Sequence, residues 1–317
     1  MKADIVCEGG GVKGIALLGA IYYLEEQGYT FERFAGTSAG AIVTSLLAVG
    51  YTGKDLKNML LNLNFKDFYV KNKLNLLPFI GPTVSLFKNK GLFSGNNIEQ
   101  YLYKLYKAKG KTKFKDISIN GVSPLKIIAS DITNKRLLIL PDDLVKYNID
   151  PLEFSIAKAV RMSISIPFYF NPVILKNGKN SSFIVDGGLL SNFPIWLFDV
   201  ENNPRWPTFG LKLISNNDLK TVSPSKSNLI TYSCDVIDTI LTKDDEAFLN
   251  NRDSVRTIKI RTYDIGTVDF AISKEEYLKL FNSGYDCAKT FLAKWSFNSY
   301  ISRYRNIHIP NRSFGWN

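Results

Sequence analysis

One histidine, three cysteines and three methionines are all that this 317-residue sequence holds of those types. With His308 as the single imidazole, a multi-histidine metal site is excluded, and any catalytic triad must use His308 or do without histidine. Cys7, Cys234 and Cys287 are far apart. That spacing fits neither a disulfide framework nor a metal cluster, so they read as free thiols in a reducing compartment. No apolar run reaches the roughly 18 residues of a membrane-spanning helix. The opening MKADIVCEGGG has one lysine and no apolar stretch ahead of its glycines. No secretion signal is expected there. A cytoplasmic protein, peripheral at most at the inner membrane face, is the expectation.

Acid is also scarce, and unevenly so. The formal net charge is +11. Between residues 51 and 115 stand thirteen lysines, no arginine and three acids, Asp55, Asp67 and Glu99. A solvated lysine-rich surface is the plain reading. The sharper one is a surface that meets anionic lipid headgroups or another polyanion.

Hydrophobic periodicity gives the organisation. ADIVCE (residues 3–8) reads as a buried strand ending at glycines. Residues 14–27 read as a helix with Gly28 as its stop. FERFAG (31–36) reads as a second strand, and the small, apolar residues 39–50 as a buried helix. This strand–turn–helix alternation predicts an α/β protein with a mostly parallel sheet. Residues 54–115 read as a helical, lysine-rich cap, with an amphipathic helix from Ser94. PLKIIASDI and RLLILPDD read as adjacent strands, residues 153–163 as a helix and SISIPFYFNPV as a loop. SSFIVDGG and PTFGLKLI read as strands, 227–250 as a long helix, SVRTIKI as a strand and 274–295 as a helix. No repeat or linker interrupts the chain, so one domain over residues 1–317 is expected.

Gly9, Gly10, Gly11, Val12, Lys13 and Gly14 fit G-x-G-x-x-G between a strand and a helix. That context suits a dinucleotide site. A dinucleotide fold wants an acid at the end of the next strand. Here the next strand runs instead into Gly36, Thr37, Ser38, Ala39 and Gly40. This is G-x-S-x-G at a strand-to-helix turn, the nucleophile elbow, whose tightness demands small neighbours and projects the serine Oγ. The glycine loop then has a second use. Backbone N–H groups without Cβ crowding can approach the oxyanion of an acyl-transfer intermediate. Gly10 and Gly11 are the expected donors, with Ala39 N–H as a third. A loop that merely shapes a tight turn is the plain alternative. The serine needs a base. Asp186, followed by Gly187 and Gly188, ends an apolar strand where α/β sites collect. It is the candidate, with His308 as rival and a turn-forming aspartate as the plain reading.

Together GGGVKG, GTSAG and DGG resemble the patatin-like phospholipase family. Residues 163–170, SISIPFYF, resemble the serine- and proline-containing loop of that family. KIIASDITNKRLLILPDD and LLSNFPIWLF are also similar to bacterial members. The resemblance covers about residues 1–214. It implies a three-layer α/β/α fold and lipid acyl hydrolysis by a Ser38–Asp186 dyad, with residues 9–14 as the oxyanion hole. It implies no metal or other cofactor. Lys13 falls where the family carries arginine or lysine, which implies a structural or phosphate-orienting role. Ser163 and Ser165 lack an elbow and read as loop-packing residues.

The implied substrate is a phospholipid or other acyl lipid. Aromatics interspersed with Lys66, Lys71, Lys73, Lys88 and Lys90 suit a peripheral lipid contact or a cap over an acyl groove. Two rivals remain at this point: a non-catalytic lipid-binding protein on the same scaffold, and a carboxylesterase of small soluble esters. No nucleic-acid motif is found. Headgroup, acyl position and oligomeric state are not legible.

Overall fold

The computed structural model describes residues 1–61, 90–214, 239, 251–263, 265–267 and 272–304. The expected long helix at 227–250, save residue 239, and Cys234, His308, Lys66, Lys71, Lys73 and Lys88 lie outside these residues.

Strand β1 (Lys2–Cys7) is buried on both faces after its first residue, as its unbroken apolar run requires. Helix α1 (Ile15–Glu26) follows the glycine loop and is apolar almost all round. It packs between the sheet and the late helix Lys274–Leu292. Gly19 and Gly284 set their spacing: a Cβ on Gly19 would strike the Phe281 carbonyl, and one on Gly284 the Ala16 carbonyl. Strand β2 (Thr30–Thr37) leads through Ser38 into helix α2 (Ala39–Ala48). Helix α3 (Gly53–Leu61), strand β3 (Gly91–Phe93) and helix α4 (Asn96–Ala108) belong to the lysine-rich region. Then come β4 (Leu125–Asp131), β5 (Arg136–Leu140), α5 (Ile156–Ser163), β6 (Phe168–Phe170), β7 (Val173–Asn177) and β8 (Asn180–Asp186). Strands β9 (Thr208–Ile214) and β10 (Thr257–Arg261), helix α6 (Lys274–Leu292) and helix α7 (Phe297–Tyr304) follow, with a single helical turn at Asn251–Ser254 before β10.

The central sheet runs β10-β9-β1-β2-β4-β8-β7, with β5 also on β4. The pairs from β10 through β4 are parallel. Those of β5, β7 and β8 are antiparallel. One face carries the main core, where Ile5 and Cys7 of β1 belong to one apolar cluster with residues of α1, α2, α5 and α6. Val6 and Ala35 point to the other face, onto Phe193, Ile195 and Phe198. The α/β class and the mostly parallel sheet are as expected. Among the described residues no helix is long and apolar enough to cross a membrane.

Two elements depart from the sequence reading. SISIPFYFNPV is not all loop. Phe168–Phe170 forms β6, paired parallel with β3 through Gly91↔Phe168 and Phe93↔Phe170. Val173–Asn177 forms β7, the hairpin partner of β8. Pro167 and Pro172 obscured both, because proline reads as strand-breaking; β6 is short and fits between them.

The register does something the sequence could not announce. Ile127 and Ile128 pair with β2 and β5 at once, so those strands hold opposite edges of β4. Ala129, Ser130 and Asp131 pair with β5 and β8 at once. Strand β8 therefore continues along the edge that β2 leaves. Thr37 is opposite Ile128 and Asp186 opposite Ala129. Since β2 runs parallel to β4 and β8 antiparallel, the two meet end to end, with Ser38 and Asp186 at the facing tips.

Candidate active site

Ser38 occupies φ 51°, ψ −120°, a conformation that side chains avoid and that costs about 1–3 kcal/mol. The elbow holds it there by close packing. A Cβ on Gly40 would collide with the Cys7 and Glu8 carbonyls, and one on Gly36 with the Gly40 carbonyl. Helix α2 thus docks its first turn directly on the end of β1. Thr37 Oγ1 donates to the Ser191 carbonyl (3.0 Å) and braces the turn from the far side.

Ser163 is more than loop packing. Its hydroxyl accepts the Ser38 N–H (2.9 Å) and donates to the Ile128 carbonyl (2.6 Å). Two residues on, the Ser165 carbonyl accepts the Asp186 N–H (2.9 Å). One turn at the end of α5 therefore holds both Ser38 and Asp186. Buried Arg161 clamps that turn, donating to Ser165 Oγ and to the Asn171 carbonyl. Ser163→Ala should leave the fold intact and lower turnover about 10-fold, since a buried N–H left unmatched costs about 1–3 kcal/mol. KM should hardly move, and Ser163→Thr should restore part of the rate. Steady-state kinetics on a soluble ester checks this.

Asp186 is fully buried. One carboxylate oxygen, Oδ1, accepts the Gly188 N–H (2.8 Å). The other, Oδ2, is buried and makes no hydrogen bond. Burial pushes the carboxyl from its ordinary 3.8 up to about 7, and the nearby Ser38 hydroxyl and Gly188 N–H pull it partly back. The Ser38 hydroxyl is thus an electrostatic neighbour without an aligned hydrogen bond, a looseness common before substrate arrives. Gly187 lets this turn lie against β4: a Cβ there would meet the Ile128 carbonyl.

The glycine loop is fixed at both ends. Gly9 N–H donates to the Asn192 carbonyl (3.1 Å), and Asn192 Nδ2 donates back to the Gly9 carbonyl (3.2 Å). Val12 N–H donates to the Thr267 carbonyl (3.1 Å) and Lys13 N–H to the Gly10 carbonyl (3.1 Å). Gly11 sits at φ +56°, pressed on the Thr267 carbonyl, where only glycine fits. Among the described residues the Gly10 and Gly11 N–H groups have no protein acceptor. Glu8, just before the loop, pairs with Lys212 (3.1 Å) inside the protein. Lys13 is buried. Sequence reasoning missed Lys212 and gave Asn192 no role, although LLSNFPIWLF contains it; only the fold brings the two to the loop.

A cavity of about 180 Å³ opens beside this arrangement. Gly11, Gly14, Ser38 and Ala39 form its floor. Ile42, Val43 and Leu46 of α2, Leu56 and Met59 of α3, and Ile98, Leu102 and Leu105 of α4 wall it. Ile164, Ile166 and Phe170 close another side. Apart from Ser38 and Tyr101, every lining side chain is apolar. The expected cap thus contributes α3 and α4 to the cavity.

Comparison with known proteins shows the class to which this mostly parallel α/β fold belongs. The model of the patatin-like phospholipase family matches residues 5–199. The chain belongs to that family. It is 36% identical over 298 residues to the uncharacterized protein YqhO of Bacillus subtilis, covering 94% of this chain and all of that one. It is 28% identical over 200 residues to the probable lipid hydrolase 463L of Invertebrate iridescent virus 6, covering 60% of this chain and 61% of that one. Among solved structures it is similar to VipD from Legionella pneumophila, with TM-score 0.54, 18% identity and 92% of this chain covered. It is also similar to ExoU, in its complex with SpcU from Pseudomonas aeruginosa, with TM-score 0.50, 16% identity and 92% covered. The chain spans 66% and 51% of those two structures, and at these identities the likeness is one of fold.

Proposed function

We propose that this protein is a lipid acyl hydrolase working through Ser38 and Asp186. One observation carries the reading: a strained serine at the floor of an apolar cavity, with a buried, partnerless carboxylate oxygen on the adjoining strand tip. The lining suits a fatty-acyl chain and offers nothing to a charged or sugar-like substrate. The family, and the relative described as a probable lipid hydrolase, favour the same substrate class.

In this reading Asp186 Oδ2 takes the Ser38 proton as Oγ attacks the ester carbonyl. The oxyanion accepts hydrogen bonds from the Gly10 and Gly11 N–H groups, with Ala39 N–H at the start of α2 as a third donor. Collapse breaks the ester C–O bond, and protonated Asp186 gives its proton to the departing alkoxide. Water then attacks the acyl-serine, again losing its proton to Asp186. The fatty acid leaves and Ser38 recovers its proton. Lys13 helps shape the loop. Each step uses a carboxylate and backbone N–H groups and calls on no metal ion.

Fatty-acid release from mixed phospholipid vesicles in EDTA tests the proposal. Turnover by the parent chain, unaffected by EDTA and lost in Ser38→Ala, is the expected result. Turnover of monomeric esters but no aggregated lipid would favour a soluble carboxylesterase. No turnover of either, with Ser38 inert to a fluorophosphonate, would refute the reading.

A further inference from the structure

The antiparallel end of the sheet carries a feature that ester hydrolysis does not use. Ile174 and Phe183 are paired across β7 and β8 and share a face. Ile132, whose N–H donates to the Phe183 carbonyl (3.1 Å), adjoins them just past the end of β4. Lys90 lies over the Phe183 ring, 5.0 Å from its centroid, and the next residue, Gly91, pairs with Phe168. Ile132, Phe168 and Ile174 are 44%, 46% and 51% exposed. Phe168 is also held at φ 63°, an unfavourable position for a bulky residue. Its neighbours Ile166 and Phe170 turn inward to wall the cavity, whereas Phe168 stays outside.

The exposed charge on the two hairpins is basic, although Glu99 lines a hollow with Val173 and Ile174. Lys90, Lys135, Arg136, Lys176 and Lys179 are all exposed. None of the five forms an ion pair among the described residues. Residues 132–140 and 168–185 contain no acid. The β4–β5 turn is tied to strand β8, through Asn134 Nδ2 to Ser182 Oγ (2.9 Å) and Phe183 N–H to Thr133 Oγ1 (2.9 Å). Exposed apolar tips ringed by such cations, on a rigid hairpin pair, match the two terms that hold a peripheral protein on an anionic bilayer.

We infer that this face, from Phe168 to the two hairpin turns, seats the protein on anionic lipid. The inference rests on the lipid-hydrolase reading. It places Ile174 and Phe183 about three strand residues from Asp186, on the order of 10 Å, so docking would bring the cavity wall to the membrane surface. Helix α4 offers a competing basic surface in Lys104 and Lys107, with Tyr103 as its exposed apolar residue.

The test is co-sedimentation with vesicles, using the full chain carrying Ser38→Ala so that the lipid survives. Phosphatidylglycerol–phosphatidylcholine vesicles should bind it, and salt should weaken the binding. Lys135→Glu/Lys176→Glu/Lys179→Glu should lower that binding at least about 10-fold, since each lysine near an anionic surface contributes appreciably. Ile132→Ser/Ile174→Ser should weaken binding as well. With Ser38 intact, both variants should turn over a monomeric butyrate ester at the parent rate. Binding unchanged in both variants, or lost instead with Lys104→Glu/Lys107→Glu, would overturn the inference, as would no vesicle binding by the parent. An equal loss of monomeric-ester turnover would also overturn it, because the face would then act on the site and not on the lipid. Vesicle binding that behaves as expected while the parent turns over no ester would refute the hydrolase reading and leave the docking face standing.

Discussion

Ser38→Ala is expected to abolish acyl release, lowering kcat by about 10⁴-fold or more, as removing an activated nucleophile does elsewhere. Residual rate would come from the apolar cavity and the oxyanion donors alone. Fluorophosphonate labelling should vanish with the activity, which ties the loss to Oγ. Ser38→Gly should give the same loss with a different stability. At φ 51°, ψ −120° the serine carries about 1–3 kcal/mol of backbone strain. Glycine accepts this conformation at little cost but loses about 0.5–1 kcal/mol through its freer unfolded chain. Ser38→Gly should therefore melt at or above the parent temperature, and above Ser38→Ala, which keeps the strain. Calorimetry on the three proteins checks this. An inactive but more stable glycine variant would show that the elbow's strain serves the chemistry and not the fold.

Asp186→Asn should cost about 10⁴-fold in kcat/KM, comparable to losses seen when a catalytic dyad or triad loses its carboxylate function. The pH behaviour is the sharper test. Burial raises Asp186 to about 7, and the base works only when ionised. In the parent, kcat/KM should rise about tenfold per pH unit up to about 7 and level off above it. A limb near pH 4 would mean that the carboxyl is not desolvated during turnover. Stability moves in the opposite sense. Between 3.8 and about 7 the folded protein holds a proton on Asp186 that the unfolded chain has lost. Stability from this group is complete below the unfolded value and is lost as pH rises through the folded one. A shift of this size corresponds to a few kcal/mol at most, at about 1.4 kcal/mol per unit. An asparagine side chain cannot ionise, so Asp186→Asn should melt above the parent at pH 8, and the difference should shrink towards pH 5. Thermal melts across pH check it.

Both expectations describe one compromise. A carboxyl buried without a second partner and a serine held against its backbone preference each weaken the fold. The surrounding structure offsets this through close packing of the elbow on β1 and the hydrogen bonds of Ser163 and Ser165. That is why small changes in the α5 turn should appear in turnover before they appear in folding.

Much of the site was legible because its pieces obey local rules. A strand that must stop at a tight turn needs glycine, so residues 9–14, 36–40 and 186–188 stood out wherever a strand ended. Scarcity of histidine narrowed the base to an acid. Length and flanking glycines separated the short parallel strands from α1 and α2, since both helices are buried almost all round and show no 3.6-residue stripe. The lysine-rich region was legible as a change of character. A cap over an acyl groove was one of its two readings; that α3 and α4 in particular wall the cavity was not legible, because side chains every third or fourth residue look the same whether they cover a core or a void.

What the sequence by itself determined is therefore the chemistry available: one serine at an elbow, one aspartate at a strand end, and a loop of glycines with N–H groups to spare. The tertiary structure decided that these meet. Ser38 and Asp186 are far apart in the chain, and they come together because β2 and β8 end on neighbouring residues along one edge of β4. Register between distant strands depends on which faces are buried, and a slip of one residue would turn each tip to the other face. The same long-range pairing hid the pin of Ser163 on Ser38, whereas β7, the local hairpin partner of β8, was hidden by Pro172 beside it. No local pattern encodes a contact whose partner lies a hundred residues away; only the packed sheet selects it.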